Sequence, residues 1–203
     1  MENIKKYELT EETLEVSGKT LYRIKALKDI ESKDVSKGDL GGFIEKEHNL
    51  SHSGGAWVSG DAKVYEDAKV YEDAEVSGNA WVYEDAKVYG NVEVSGNTQV
   101  YRNAGVYGNA RVFGYAKVSG NAKVSGNAKV YEDAEVSGDA KVSGNAKVYE
   151  DAKVYEDAKV FGDAKVYGNV EVSGDAWVSG DAKVYGNARV SGNAWVSGNA
   201  SIS

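Results

Sequence analysis

Two histidines, His48 and His52, are the only imidazoles in the 203 residues. Imidazole titrates nearest to neutral pH, so general acid–base chemistry would have to begin with one of these two. Both lie just before a regular repeat starts, where the expected role is packing or surface rather than catalysis. The chain has no cysteine, which excludes thiolate nucleophiles, thiolate metal sites and disulfides. Ser77, Ser95, Ser125 and their equivalents recur in one slot of the repeat with no histidine nearby, and read as small surface residues. No catalytic residue and no cofactor is expected.

Other chemistry comes from residues spaced eighteen apart. Asp139, Asp157 and Asp175 should lie above one another about 5 Å apart, where like charges either share a cation or shift their pKa upward. They are the metal candidates, but the glycine-rich nonapeptide of calcium-binding repeats is absent, so lysines and solvent are expected to screen them. Arg111, Lys129, Lys147, Lys165 and Lys183 should run beside Phe113, Tyr131, Tyr149, Tyr167 and Tyr185, two residues further along the same strands. Such a strip could hold an anionic partner, a glycan or single-stranded nucleic acid by charge and stacking. The competing reading is that the lysines solubilise and the rings hold register, and Glu132 and Glu150 are expected to interrupt the positive strip. Trp177 and Trp195, neighbours on another side, are a second candidate contact surface, because large exposed aromatics mark interfaces.

The elements that position these residues follow from one pattern. From Ala56 to Ser203 the chain reads A-x-V-x-[GE]-[ND] without an insertion, with valine at every sixth position from Val58 to Val196 and Ile202 last. Only Val92, Thr98 and Val170 depart from the alanine slot. Two apolar residues flanking a variable one describe a short strand, with Ala and Val inward and the variable residue and the one after Val outward. The last two slots turn a corner, because Gly, Asn and Asp tolerate left-handed backbone, as in Val76-Ser77-Gly78-Asn79.

Six residues cannot bury a face alone, so units must stack. The slot after valine sets the period: Ser, Tyr, Tyr three times, then Phe, Ser, Ser and its variants, repeats every third unit. One coil is therefore eighteen residues. About eight coils at a strand spacing of about 4.8 Å give a prism on the order of 40 Å long. Columns such as Tyr65, Tyr83 and Tyr101, or Tyr71, Tyr89 and Tyr107, become aromatic ladders that favour this register over a slipped one. A row of outward threonines, as an ice-binding surface would need, is missing, since Thr98 is the only threonine in the repeats.

Residues 1–55 do not fit the repeat and read as a cap containing a hairpin and a first irregular coil. Leu14 and Val16, a Ser17-Gly18-Lys19 turn, then Tyr22, Ile24 and Ala26 alternate as a hairpin should. Its task would be to cover the first coil, since an open solenoid end invites edge-to-edge polymerisation. The other end, Ala200-Ser201-Ile202-Ser203, reads as uncapped and available for assembly, or protected by polarity alone.

The net charge of -8, split -2 over residues 1–55 and -6 over the rest, disfavours nucleic acid as a partner. No apolar run suggests a signal peptide or a membrane span, so a cytoplasmic location without membrane contact is expected.

The six-residue period with small and aliphatic inward slots resembles the left-handed β-helix proteins of the hexapeptide-repeat class. More narrowly, Gly38-Asp39-Leu40-Gly41-Gly42-Phe43-Ile44-Glu45, then Asn49-Leu50-Ser51 and the repeats, looks like a set of β-solenoid proteins common in bacterial genomes and prophages. That resemblance implies a bacterial or phage origin and no established activity. The hexapeptide class is best known for acyl transfer with a histidine base in a pocket made by an inserted loop, and these residues give no expectation of that loop or of a C-terminal helical extension.

The expected fold is all-β: a parallel β-solenoid, left-handed and triangular, with an N-terminal β-hairpin cap on residues 1–55 and the solenoid on 56–203. The expected function is a non-enzymatic structural or interaction module for a protein partner, or for self-association through the C-terminal end or an aromatic face. An acidic phage inhibitor of a host protein is one form of it. The alternative is a degenerate or partner-completed acyltransferase.

Overall fold

The structure, a computed structural model, describes residues 5–203. Valine recurs at every sixth position, and each one from Val58 to Val196 points inward and is buried, as are nearly all the alanines two residues before them. Strands pair in parallel with partners eighteen residues on, for example Val94 with Val112 and Val130 with Val148. Three sheets result, of eleven, nine and eight strands. We call them the first face (from Trp57 through Lys129 to Ser201), the second face (from Lys63 through Lys117 to Arg189) and the third face (from Lys69 through Lys123 to Trp195).

The solenoid begins earlier than the regular repeat. Strand β3 (Leu40–Ile44) pairs in parallel with the second face, Ile44 against Val64, and Leu50 forms a bridge to Val70 on the third. Ile44 and Leu50 are six residues apart and both fully buried, so they occupy valine slots of a partial turn, which brings the stack to about nine turns. Their offset to the next turn is twenty residues rather than eighteen, and the two extra residues fall in the Ser51–Gly55 stretch. Buried Asn49 makes the corner: its Nδ2 donates to the carbonyls of Glu66 and Ala68, both at 2.9 Å, and its Oδ1 accepts the Lys46 N–H.

Hairpin strands β1 (Tyr7–Val16) and β2 (Lys19–Ala26) add antiparallel to the edge of the second face through β3. Lys19 pairs with Val16, so the turn is Ser17-Gly18 alone, both with positive φ. The cap also buries two residues that the alternation places outward. Trp57 joins the main core, and Tyr65 is enclosed with Val16, Leu21 and Phe43. Outward slots become interior wherever the cap lies over them. Lys6 is wholly buried there, its ammonium donating to the carbonyls of Ala56 at 2.6 Å and Gly54 at 3.4 Å, and desolvation lowers its pKa to about 8.

The corners differ from the sequence reading. Positive φ falls on the fifth slot of the repeat, not on the Asn or Asp that follows, and it includes Glu66, Glu72, Glu84, Arg102, Glu132, Glu150 and Glu156 besides the glycines. Glycine suits the slot because coils approach closely: a Cβ on Gly90 would lie 2.6 Å from the Gly108 carbonyl oxygen. Several glutamates compensate their strained backbone by capping the next coil. Glu66 Oε2 accepts the Glu84 N–H at 2.9 Å, and Glu156 Oε2 accepts that of Gly174 at 2.6 Å. The sixth slot instead builds side-chain ladders: Asn91, Asn109, Asn127, Asn145 and Asp163 are joined in sequence by amide-to-oxygen hydrogen bonds of 3.0 to 3.3 Å. No helix among the described residues is long and apolar enough to cross a membrane.

Candidate functional site

On the first face, strand alternation places one column of cations and one of rings side by side. Phe113, Tyr131, Tyr149, Tyr167 and Tyr185 stack with centroid separations of 4.9, 4.8, 4.9 and 5.5 Å and interplanar angles no greater than 13°. Beside them Arg111, Lys129, Lys147, Lys165 and Lys183 stand in register. Arg111 is tied to Glu93 at 2.8 Å, whereas the four lysines have no carboxylate within 4.0 Å among the described residues. Lys147, Lys165 and Lys183 border a shallow groove of about 640 Å³ with Asn145, Asp163, Asp181 and Asn199.

Glu132 and Glu150 follow the tyrosines along the strand, so they border the rings at the end away from the lysines rather than breaking the cationic column. Their charge acts on the rings. Partial burial first, then the neighbouring Tyr131 and Tyr167, then Glu150 and Glu132, push the Tyr149 phenol up to about 12. Burial and the same two glutamates raise that of Tyr131. The phenols of Tyr131 and Tyr149 are thereby held in their neutral form beside lysines that have no carboxylate within 4.0 Å among the described residues.

The ladders change face partway along the prism. Tyr65, Tyr83 and Tyr101 stack on the second face and Tyr71, Tyr89 and Tyr107 on the third, and beyond Tyr107 the unbroken ladder belongs to the first face. Trp177 and Trp195 do stack as expected, at 5.1 Å and 7°, on the third face. Lys159 sits 4.5 Å over Trp177, Phe161 meets it edge-on, and Trp195 is 72% exposed.

Asp139, Asp157 and Asp175 line a third-face groove with Asn121, Lys123, Lys141 and Lys159, and Asp139 accepts the Asn121 amide at 3.0 Å. Among the described residues no group of three His, Cys, Asp or Glu side chains is arranged to hold a metal ion.

Both histidines lie at the cap. The His52 ring stacks on Tyr7 at 4.3 Å, its Nδ1 accepts the Lys6 N–H at 3.1 Å, and its Nε2 lies 3.8 Å from Glu47. Burial lowers its pKa against the opposing pull of Glu47. His48 Nε2 lies 3.8 Å from Asp67. What the sequence reading missed is that both border a cavity of about 540 Å³ shared with Leu50, Lys69, Val70, Tyr71 and Lys87. The six-residue spacing of Ile44 and Leu50 was the available signal, since it brings the cap's last turn onto the third face.

A family model described as the YdcK beta solenoid repeat matches residues 104–120 and 182–198, each stretch close to one coil of the prism. No curated protein matches the chain. Repeat and architecture together make this a β-solenoid repeat protein.

Proposed function

We propose that the chain is a non-enzymatic interaction module that binds a protein partner through the lysine and aromatic columns of its first face. The observation that carries this is the run of four lysines without ion-pair partners beside a continuous ladder of stacked rings. Holding like charges in register has an electrostatic cost, which an acidic partner would offset. Preorganised rings and a rigid backbone reduce the ordering entropy of binding.

The partner should carry a stripe of carboxylates. Strand spacing is about 4.8 Å and one α-helical turn rises about 5.4 Å, so a helix with one acidic residue per turn could keep successive carboxylates near successive lysines. The net charge of -8 argues against a nucleic-acid partner. The histidine geometry favours binding over acyl transfer, because His52 Nδ1 is occupied by the Lys6 N–H and its ring is packed on Tyr7. On the resemblance of residues 38–45 and the repeats to prophage solenoids, we further assign a bacterial or phage origin and a cytoplasmic setting.

The test is a fluorescence-anisotropy titration with a labelled glutamate-rich helical peptide. Saturable binding that weakens with salt, lost in the Lys129/Lys147/Lys165→Gln variant and kept in Lys123/Lys141/Lys159→Gln, is the expected result. Equal binding by the two triple variants would remove the first face from the account.

A further inference from the structure

The cavity at the cap junction belongs to neither column of the first face. It lies where the partial turn joins the first regular one, across a stretch with two extra residues between Leu50 and Trp57. Leu50 and Val70 close its base but are fully buried and offer no surface, so the apolar surface open to a ligand is that of the Tyr71 ring, whose far side stacks on Tyr89. Around it stand Lys69, Lys87, Tyr71, His48 and His52, with Glu47 as the one carboxylate. Neither Lys69 nor Lys87 has a carboxylate within 4.0 Å among the described residues, and the Tyr71 hydroxyl has no hydrogen-bond partner there. Glu47 is already engaged by Lys5, whose hydrogen bond is the main cause of its lowered pKa, with His52 on its other side. The lining is thus mainly cationic in a chain that is acidic overall, with Asp67 beside it, 3.8 Å from His48 Nε2.

Two ammonium groups one rung apart, a phenol and an imidazole around one concavity beside an aromatic ring have the chemistry of a site for an anionic head on an apolar body. We propose that this cavity binds a small organic anion, with Lys69 and Lys87 holding a phosphate or carboxylate, His48 and the Tyr71 hydroxyl donating hydrogen bonds to it, and its apolar part resting against the Tyr71 ring. His52, also in the lining, is held by Tyr7 and the Lys6 N–H and lies 3.8 Å from Glu47, which is itself tied to Lys5.

The experiment uses the full chain and NMR of the histidine rings, titrated separately with phenyl phosphate, benzoate, inorganic phosphate and phenol. Phenyl phosphate or benzoate should shift the His48 resonances saturably, and whichever of the two binds more tightly identifies the head group. Inorganic phosphate should bind more weakly, and phenol should cause no saturable shift. Lys87→Gln, a change of an exposed side chain, should weaken the better ligand about tenfold. Lys123→Gln, on the same column but outside the cavity, should leave affinity unchanged. No saturable shift with either organic anion, or equal loss in both lysine variants, would overturn the proposal. Because the first-face lysines take no part, failure here would leave the proposed protein partner untouched, and the reverse also holds.

Discussion

Glu132 and Glu150 both have φ of 59°, and the carboxylate of Glu132 accepts the backbone N–H of Glu150, one coil further on, at 2.9 Å. A residue type poorly suited to left-handed backbone is thereby given a hydrogen bond that glycine could not make.

Glutamates in this slot should consequently respond differently to glycine. Glu84 has the same backbone, φ 58°, but its carboxylate accepts no such bond among the described residues. Glu84→Gly should raise stability by about 1 kcal/mol through relief of strain. Glu132→Gly should come out near neutral, because it also loses a charge-assisted hydrogen bond worth about 1 kcal/mol. Urea denaturation of the two variants checks this, and a destabilised Glu84→Gly would show that strain is not the controlling term.

Val136 is fully buried in the middle of the second face, paired with Val118 and Val154. Val136→Asp should lower stability by several kcal/mol, since it leaves a charge unpaired in a core about one side chain wide. Val136→Ala should lower it by about 2 kcal/mol through lost burial and a small cavity. Circular dichroism melting curves distinguish them; an unchanged melting temperature for the aspartate variant would contradict the inward placement.

The first-face ladder stops at Phe113, below which Ser95 occupies the same column. Ser95→Tyr should stack on Phe113 and add about 0.5 to 1 kcal/mol. Ser59→Tyr, whose column neighbour is Ser77, should add no stacking term. Equal changes in thermal stability for the two variants would mean that ring stacking does not support the register.

Lys6 gives the cap a pH dependence of known sign. Its folded pKa of about 8 lies below the usual lysine value, so between about pH 8 and pH 10 the unfolded chain holds more protons than the folded one. Stability should therefore rise across that window, by about 1 to 2 kcal/mol, before tyrosine ionisation opposes it. Denaturation at pH 7.5 and 9.5 should show the rise in the wild type and its loss in Lys6→Met. A fall in the wild type would place the lysine in water instead.

Much of this molecule could be read from spacing alone. Val58 to Val196 at six-residue steps fixed the inward slots, and Phe113 to Tyr185 at eighteen-residue steps fixed three strands per coil, because both spacings express direct stacking. Features that depend on contacts between different parts of the chain were not legible. Tyr65 and Trp57 look outward by alternation and are buried only because the cap folds over them. The glutamate caps were hidden because a carboxylate at a corner reads as solvation until the next coil's N–H is seen beside it. The junction cavity was hidden for a related reason: Ile44 and Leu50 keep the valine spacing, but Gly42 and His48 replace the alanines that would have announced a repeat.

The proposed function depends most on the first face as the contact surface. Affinity capture from a bacterial lysate, read by mass spectrometry, should be run with the wild type, the first-face variant Tyr131/Tyr149/Tyr167→Glu and the third-face control Lys123/Lys141→Gln, each first shown to melt cooperatively. One stoichiometric protein retained by the wild type and the control and absent from the first-face variant is the predicted result. The same protein retained by all three, or none retained by any, would contradict it.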